Sequence, residues 1–265
     1  MQLDNIILTE QKYLATITIN HPPVNAWNWA TMQDFERALD AVESDSDVRV
    51  VIITGAGEKC FSAGFDVSDA GNSKKTSPKA RELWRRIDRF PKPVIAAING
   101  YALGGGLELA MCCQFRIMVN TPEAMVGLTE LNLGIIPGWG GTQRLPLLVG
   151  KAKALDMILF SRKINATEAL EAGLINQVSA PGRLMDDARA LAEKLATRPP
   201  LAVSCVLRAI ASGAYEGLDA GMKVEEEGSR IVGQSEDCKE GFSAFLENAN
   251  RSSKVNKSPI ELKHN

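Results

Sequence analysis

Apolar and polar positions alternate along residues 13–19, Tyr-Leu-Ala-Thr-Ile-Thr-Ile, the period-two pattern of a half-buried strand, and His21-Pro22-Pro23 stops it. Along residues 31–42 the spacing becomes helical, with Met32, Phe35, Leu39 and Val42 on one face. Residues 48–53 are β-branched almost throughout and run into Gly55-Ala56-Gly57, as expected of a strand covered on both sides. The pattern predicts an amphipathic helix over 79–90, closed by Pro91-Lys92-Pro93, and another short apolar strand over 94–98. Strand and helix alternate to about residue 178, which makes the fold class α/β with mostly buried strands.

Beyond Pro181 the pattern changes. Residues 184–196, 201–211 and 218–232 all have helical periodicity, and no β-branched run separates them. The reading is therefore an α/β part over residues 1–199 and a helical part over 200–265. The polar stretch 248–265 is expected to be extended or frayed.

A chain of 265 residues suits one large α/β domain with a smaller appendage. At 45% hydrophobic and 23% charged residues, it is neither disordered nor collagen-like. Thirty Lys and Arg stand against 32 Asp and Glu, with no long basic run, so no nucleic-acid partner is expected. The first residues lack a basic segment followed by an apolar one, and no apolar run reaches the roughly 18 residues of a membrane span. The expectation is a soluble, cytoplasmic protein with no membrane partner.

The scarcest reactive residue narrows the chemistry. There are two histidines, His21 and His264, so a Ser-His-Asp relay, a His-rich metal site or a His general base has no good candidate. Five cysteines, Cys60, Cys112, Cys113, Cys205 and Cys238, are odd in number, lack Cys-x-x-Cys spacing and sit mostly in apolar stretches. They read as buried thiols in a reducing compartment, and no metal site is expected.

Two loops each join an apolar strand to a helix through glycine and small residues. One is Cys60-Phe61-Ser62-Ala63-Gly64-Phe65-Asp66, and the other runs from Asn99 through Gly104-Gly105-Gly106-Leu107-Glu108 to Ala110. Successive glycines at a helix start leave N–H groups that favour negative charge, although a tight packing turn explains them equally. Neither loop is a G-x-G-x-x-G or Walker sequence, so a dinucleotide or nucleoside triphosphate is not indicated. Glu108 sits among Leu107, Leu109, Ala110 and Met111, where a carboxylate is costly unless paired, hydrogen-bonded or protonated. It reads either as a cap of its own helix or as a chemical acid. Glu130 lies in a second apolar, glycine-punctuated segment, and with histidine so scarce the two glutamates form the best acid/base pair for adding or removing water.

With these residues in place, the chain resembles the enoyl-CoA hydratase/isomerase (crotonase) superfamily. The resemblance rests on Asn99 to Ala110 together with Gly134-Ile135-Ile136-Pro137-Gly138-Trp139-Gly140-Gly141-Thr142-Gln143-Arg144-Leu145. It extends through Phe61-Ser62-Ala63-Gly64-Phe65-Asp66, Lys92-Pro93-Val94-Ile95-Ala96-Ala97 and Ala169-Leu170-Glu171-Ala172-Gly173-Leu174-Ile175-Asn176, and covers roughly residues 17–246. The resemblance implies a spiral of ββα units that binds acyl-CoA over 1–199. It also implies a helical oligomerisation region over 200–265, which in the family builds homotrimers, usually paired into homohexamers.

The resemblance further implies an oxyanion hole from the main-chain N–H groups of Phe65 and Gly105, and an acid pair of Glu108 and Glu130 around one water. Glu130 would deliver the proton at the α-carbon of a 2-enoyl-CoA. Gly138 and Trp139 would help form the catalytic wall. Segment 23–27, with Asn25 and Ala26, would cradle CoA, with Ala63 facing the adenine and Gly104 and Asp66 close by. Asp66 reads better as an N-cap. Coenzyme A enters only as part of the substrate thioester, with no separate cofactor.

Some positions depart from the family pattern. Glu108 and Glu130 stand further apart in sequence than usual, which points to a lengthened turn at Asn120-Thr121-Pro122-Glu123. Phe65 and Trp139 replace small residues and would reshape the acyl pocket for a branched, cyclic or short acyl group. Ser68 stands where many hydratases have lysine. Trp27 and Trp29 would share a face of an extended segment, in the pocket or in the core. Lys254 and Lys257 read as a solvated basic tail or as phosphate contacts to a neighbouring subunit. The implied activity is 2-enoyl-CoA hydration. An isomerase, a cyclic dienoyl-CoA hydratase, a C–C or thioester hydrolase, and a non-catalytic CoA- or RNA-binding scaffold stand as alternatives.

Overall fold

The computed structural model describes the backbone of residues 1–255 and the side chains of residues 1–247. The chain forms two compact units, one spanning Met1–Leu207 and one beginning at Arg208.

The first unit is built on two sheets. The larger has strand order β1 (Ile6–Gln11), β2 (Leu14–Ile19), β3 (Val50–Gly55), β5 (Val94–Ile98), β7 (Phe115–Val119) and β9 (Gln177–Ser179). Its first pair is an antiparallel hairpin and the remaining pairs are parallel. The smaller sheet is parallel and consists of β4 (Cys60–Ser62), β6 (Tyr101–Leu103) and β8 (Val126–Gly127). Successive strands therefore go to alternate sheets: β3 then β4, β5 then β6, β7 then β8. This is a ββα spiral, with α2 (Ser73–Asp88) and α3 (Gly105–Cys112) closing the first two turns.

Every residue of β3 and β5 is buried, as a parallel strand covered on both faces requires. Helix α7 (Leu184–Ala196) packs across β2, β3, β5 and β7. Helix α1 (Trp29–Ser44) buries the expected Met32, Phe35, Leu39 and Val42. It starts where Asn28 Oδ1 accepts the Thr31 N–H at 2.8 Å, an N-cap that satisfies one of the first-turn donors.

The smaller sheet positions the site. Ser62 pairs with Ala102 and Leu103 with Gly127, so β4, β6 and β8 end side by side. Segments 63–66, 104–108 and 128–130 consequently leave from one edge of that sheet.

Several elements differ from the reading of the sequence. The glycine loops are not continuous loops, because Cys60–Ser62 and Tyr101–Leu103 are strands, too short for alternation to reveal. Helix α2 begins at Ser73 rather than at 79 and runs through Pro78, because burial of Thr76, Ala80, Leu83, Trp84 and Ile87 outweighs the hydrogen bond the proline cannot donate.

Helices α4 (Gly141–Val149), α5 (Lys151–Leu159) and α6 (Ala166–Glu171) precede β9. Asn165 and Glu168 form a reciprocal capping box at the start of α6. Helix α8 (Pro200–Glu216) carries the boundary between the two units, and α9 (Leu218–Val232) and α10 (Glu236–Val255) follow. The stretch expected to be extended from residue 248 is corrected here: α10 continues to Val255, and polar composition without proline does not stop a helix. Residues 256–265, and with them Lys257 and His264, lie outside the described residues. Among the described residues no helix is long and apolar enough to cross a membrane.

Candidate active site

A cavity of about 250 Å³ opens where those three segments converge. Phe65, Gly105, Glu108 and Glu130 all line it, together with Ala63, Gly104, Gly138 and Trp139. Its remaining walls include Ser77, Thr129 and the exposed apolar side chains of Leu133, Ile135 and Ile136.

Glu108 lies in the first turn of α3 and is 1% exposed. Its Oε1 accepts the N–H of Trp139 at 2.8 Å and of Gly141 at 2.7 Å. Gly141 is the first residue of α4, so Glu108 caps a different helix from its own, where the unpaired amides and the dipole favour a negative charge. Burial raises its pKa, and the Gly141 and Trp139 N–H groups and the Arg144 cation work against that rise.

Glu130 opens a short 3-10 turn, Glu130–Leu133. Its Oε2 is buried with no hydrogen-bond partner. Burial first, and the neighbouring Glu108 second, push its pKa up to about 7. The carboxyl lies over Gly104, where a β-carbon would stand 3.1 Å from Glu130 Oε1 and where the backbone has φ +50°.

The glycine loops bring two amides together. Gly64 has φ +89°, and a β-carbon there would stand 2.8 Å from the Gly105 nitrogen, so only glycine lets the first loop approach the second this closely. Their neighbours are engaged: Asp66 N–H donates to Trp27 O at 3.0 Å and Gly104 N–H to Gly127 O at 3.0 Å. Among the described residues the N–H groups of Phe65 and Gly105 donate to no backbone or side-chain acceptor.

Trp139 forms the wall beside these amides. Its indole rests on Gly105, where a β-carbon would come within 2.3 Å of the ring, and packs edge-on against Phe65 and Trp84. Trp84 Nε1 donates to Gly105 O at 3.3 Å, a further hold on the same residue.

Three expected site residues lie elsewhere. Asn25 is buried with φ +51°; its Nδ2 donates to Ala56 O and Cys60 O, and its Oδ1 accepts the His21 N–H. Ala26 is buried behind it, with its carbonyl 2.7 Å from His21 Nδ1, which places His21 in a loop clamp. Asp66 caps the 3-10 turn Val67–Asn72 by accepting the Ser68 N–H and hydroxyl. Trp27 is wholly buried against Phe35 and Trp84, and Trp29 begins α1 with its N–H on Asp69. Neither lines the cavity.

Residues 9–254 match the family described as enoyl-CoA hydratase/isomerase. This chain belongs to the enoyl-CoA hydratase/isomerase family. The short-chain-enoyl-CoA hydratase of Clostridium acetobutylicum is 40% identical over 253 residues, 93% of this chain and 96% of that protein. The 2,3-dehydroadipyl-CoA hydratase of Escherichia coli is 37% identical over 252 residues, with coverages of 92% and 96%. The crystal structure of enoyl-CoA hydratase from Bacillus anthracis superimposes with a TM-score of 0.87 at 37% identity, over 92% of this chain and 97% of that one.

This family member also carries a feature that its sequence did not disclose. Arg144 and Asp88 form a buried ion pair directly behind the Trp139 loop. The two are separated by 56 residues in the sequence.

Proposed function

We propose that the protein is an enoyl-CoA hydratase, a hydro-lyase adding water across the C2=C3 bond of a 2-enoyl-CoA thioester. The observation that carries this reading is the pair of unlike glutamates on the cavity that also holds the two unengaged amides. The thioester oxygen accepts the Phe65 and Gly105 N–H groups, which are held in advance where charge develops. Glu108, as the carboxylate, takes a proton from water while the water oxygen bonds to C3. The C2=C3 electron pair moves toward the thioester, giving an enolate on the oxygen held by the two amides. Glu130, protonated by virtue of its burial, delivers its proton to C2. Proton exchange between the acids and solvent then restores the starting states.

General acid/base groups of this kind contribute about 10² to 10⁴-fold each, and each oxyanion donor about 3 to 4 kcal/mol. Replacing Glu108 or Glu130 by Gln should therefore remove most of the hydration rate and leave CoA-ester binding in place. Near wild-type turnover in both variants would refute the assignment.

Coenzyme A is taken as part of the substrate, running past Ala63 and the 23–27 segment, with Asn25, Ala26 and Asp66 shaping that segment. Exposed Val206, Ile210, Leu218 and Met222 on α8 and α9 support assembly into a homotrimer or homohexamer. Five free cysteines support a reducing, cytoplasmic setting.

A further inference from the structure

The loop that supplies two N–H groups to Glu108 is held from its other side. Arg144 Nη1 donates to Trp139 O at 2.9 Å. Arg144 Nε donates to both carboxylate oxygens of Asp88, at 3.0 and 3.1 Å, and Nη2 donates to Oδ2 at 2.5 Å. The two side chains are 7% and 4% exposed. Gly140 has φ +111°, and a β-carbon there would fall 1.9 Å from Arg144 Nη1, so the guanidinium occupies the space the glycine leaves. Asp88 ends α2, Arg144 lies in the first turn of α4, and Glu108 lies in α3; the pair thus links three helices at the loop that faces Glu108.

We propose that Arg144, clamped by Asp88, is a positioning residue that aims the Trp139 and Gly141 N–H groups at Glu108 and keeps Glu108 as the carboxylate that accepts a proton. The inference rests on the hydratase reading for its chemical consequence. A buried ion pair is a poor way to gain stability, since an apolar pair of the same volume serves as well or better. The planar fork does what an apolar side chain cannot: it grips a carboxylate with the two donors of one edge, Nε and Nη2, and a peptide carbonyl with a third donor, Nη1. The charged and titratable groups around Glu108 are the Arg144 cation from α4, Asp88 behind it, Glu130 from the 3-10 turn, and Cys112 one turn along α3, whose Sγ donates to Glu108 O. Of these, Arg144 favours the ionised Glu108 and offsets part of its burial.

The test is a carboxyl carbon NMR titration of glutamate-labelled full-length protein, with Glu108→Gln assigning the Glu108 signal, alongside pH profiles of hydration. Arg144→Met should move the Glu108 midpoint to higher pH and shift the acid limb of kcat/KM with it, while lowering kcat about 100-fold through lost alignment. Arg144→Lys, which keeps the charge, should leave the midpoint near that of the wild type. Asp88→Asn, which weakens the grip on Arg144 and leaves the guanidinium in the chain, should move the midpoint to higher pH, by less than Arg144→Met does. It decides the matter alone if Arg144→Met does not fold. A Glu108 midpoint unmoved or lowered by Arg144→Met, or unmoved or lowered by Asp88→Asn, overturns the proposal. A wild-type protein without hydratase activity defeats the functional reading instead, and the titration still decides this one.

Discussion

Glu108 and Glu130 share a cavity with opposite hydrogen-bond endowments: Glu108 Oε1 accepts two main-chain N–H groups, whereas Glu130 Oε2 is buried with none. Donors aimed at a carboxylate favour its ionised form, whereas at Glu130 burial and the neighbouring Glu108 outweigh the one backbone hydrogen bond its carboxyl receives and favour the protonated form. In the hydration proposed above, this difference would make Glu108 the base and Glu130 the acid. One kinetic consequence concerns pH. Because Glu130 must carry its proton to donate it, kcat/KM for hydration should fall as pH rises through about 7. The residual activity of Glu130→Gln should lack that fall.

The same environment has a cost in stability. A carboxyl whose pKa rises on folding from about 4.5 to about 7 destabilises the folded state increasingly between those values, since the unfolded chain loses its proton first. Below about 4.5 the group is neutral in both states, and Gln should be neutral in effect. Thermal denaturation should therefore show Glu130→Gln more stable than wild type at pH 8 and equal to it at pH 4. Equal melting temperatures at both values would remove the argument for a strained Glu130.

Trp139 fills the space against Gly105, Phe65 and Trp84. Trp139→Ala should cost about 3 to 5 kcal/mol of stability as a cavity in a packed aromatic wall. It should also raise the ratio of kcat/KM for longer or branched enoyl-CoA esters over a short straight one. A fixed ratio would place the acyl chain away from the indole.

Asn25 separates a scaffold role from a ligand role. Its amide is committed to Ala56 O, Cys60 O and His21 N–H inside the loop. Asn25→Ala should lower stability by about 1 to 3 kcal/mol per buried partner left unpaired. KM for the CoA ester should change little at temperatures where the variant is folded; a large rise in KM with unchanged stability would instead make Asn25 a direct contact.

The parts of the fold that read well from sequence were those with long, regular patterns. Leu184–Ala196 and Leu218–Val232 have the boundaries their periodicity implies, and the face of Met32, Phe35, Leu39 and Val42 is buried as spaced. The three-residue strands Cys60–Ser62 and Tyr101–Leu103 did not show, because their partners lie in another turn of the spiral and no alternation fits in three positions. In the site, the glycines and the two glutamates stood out as polar or small residues in apolar surroundings. What held them did not: Glu108 finds its donors 31 and 33 residues along the chain, and Asp88 meets Arg144 across 56. Such pairings are made by the closure of the spiral and leave no local trace.

Addition of water across the double bond by Glu108 and Glu130 leaves a signature in the product. The most direct measurement is mass analysis of the product formed from a short 2-enoyl-CoA in heavy-oxygen water, with wild type, Glu108→Gln and Glu130→Gln side by side. Wild type should yield an intact thioester heavier by one labelled water, with the label on C3, and both variants should lose most of this product. An unchanged mass with a displaced double bond, release of free CoA, or a labelled product formed equally well by both variants would contradict hydration by this pair.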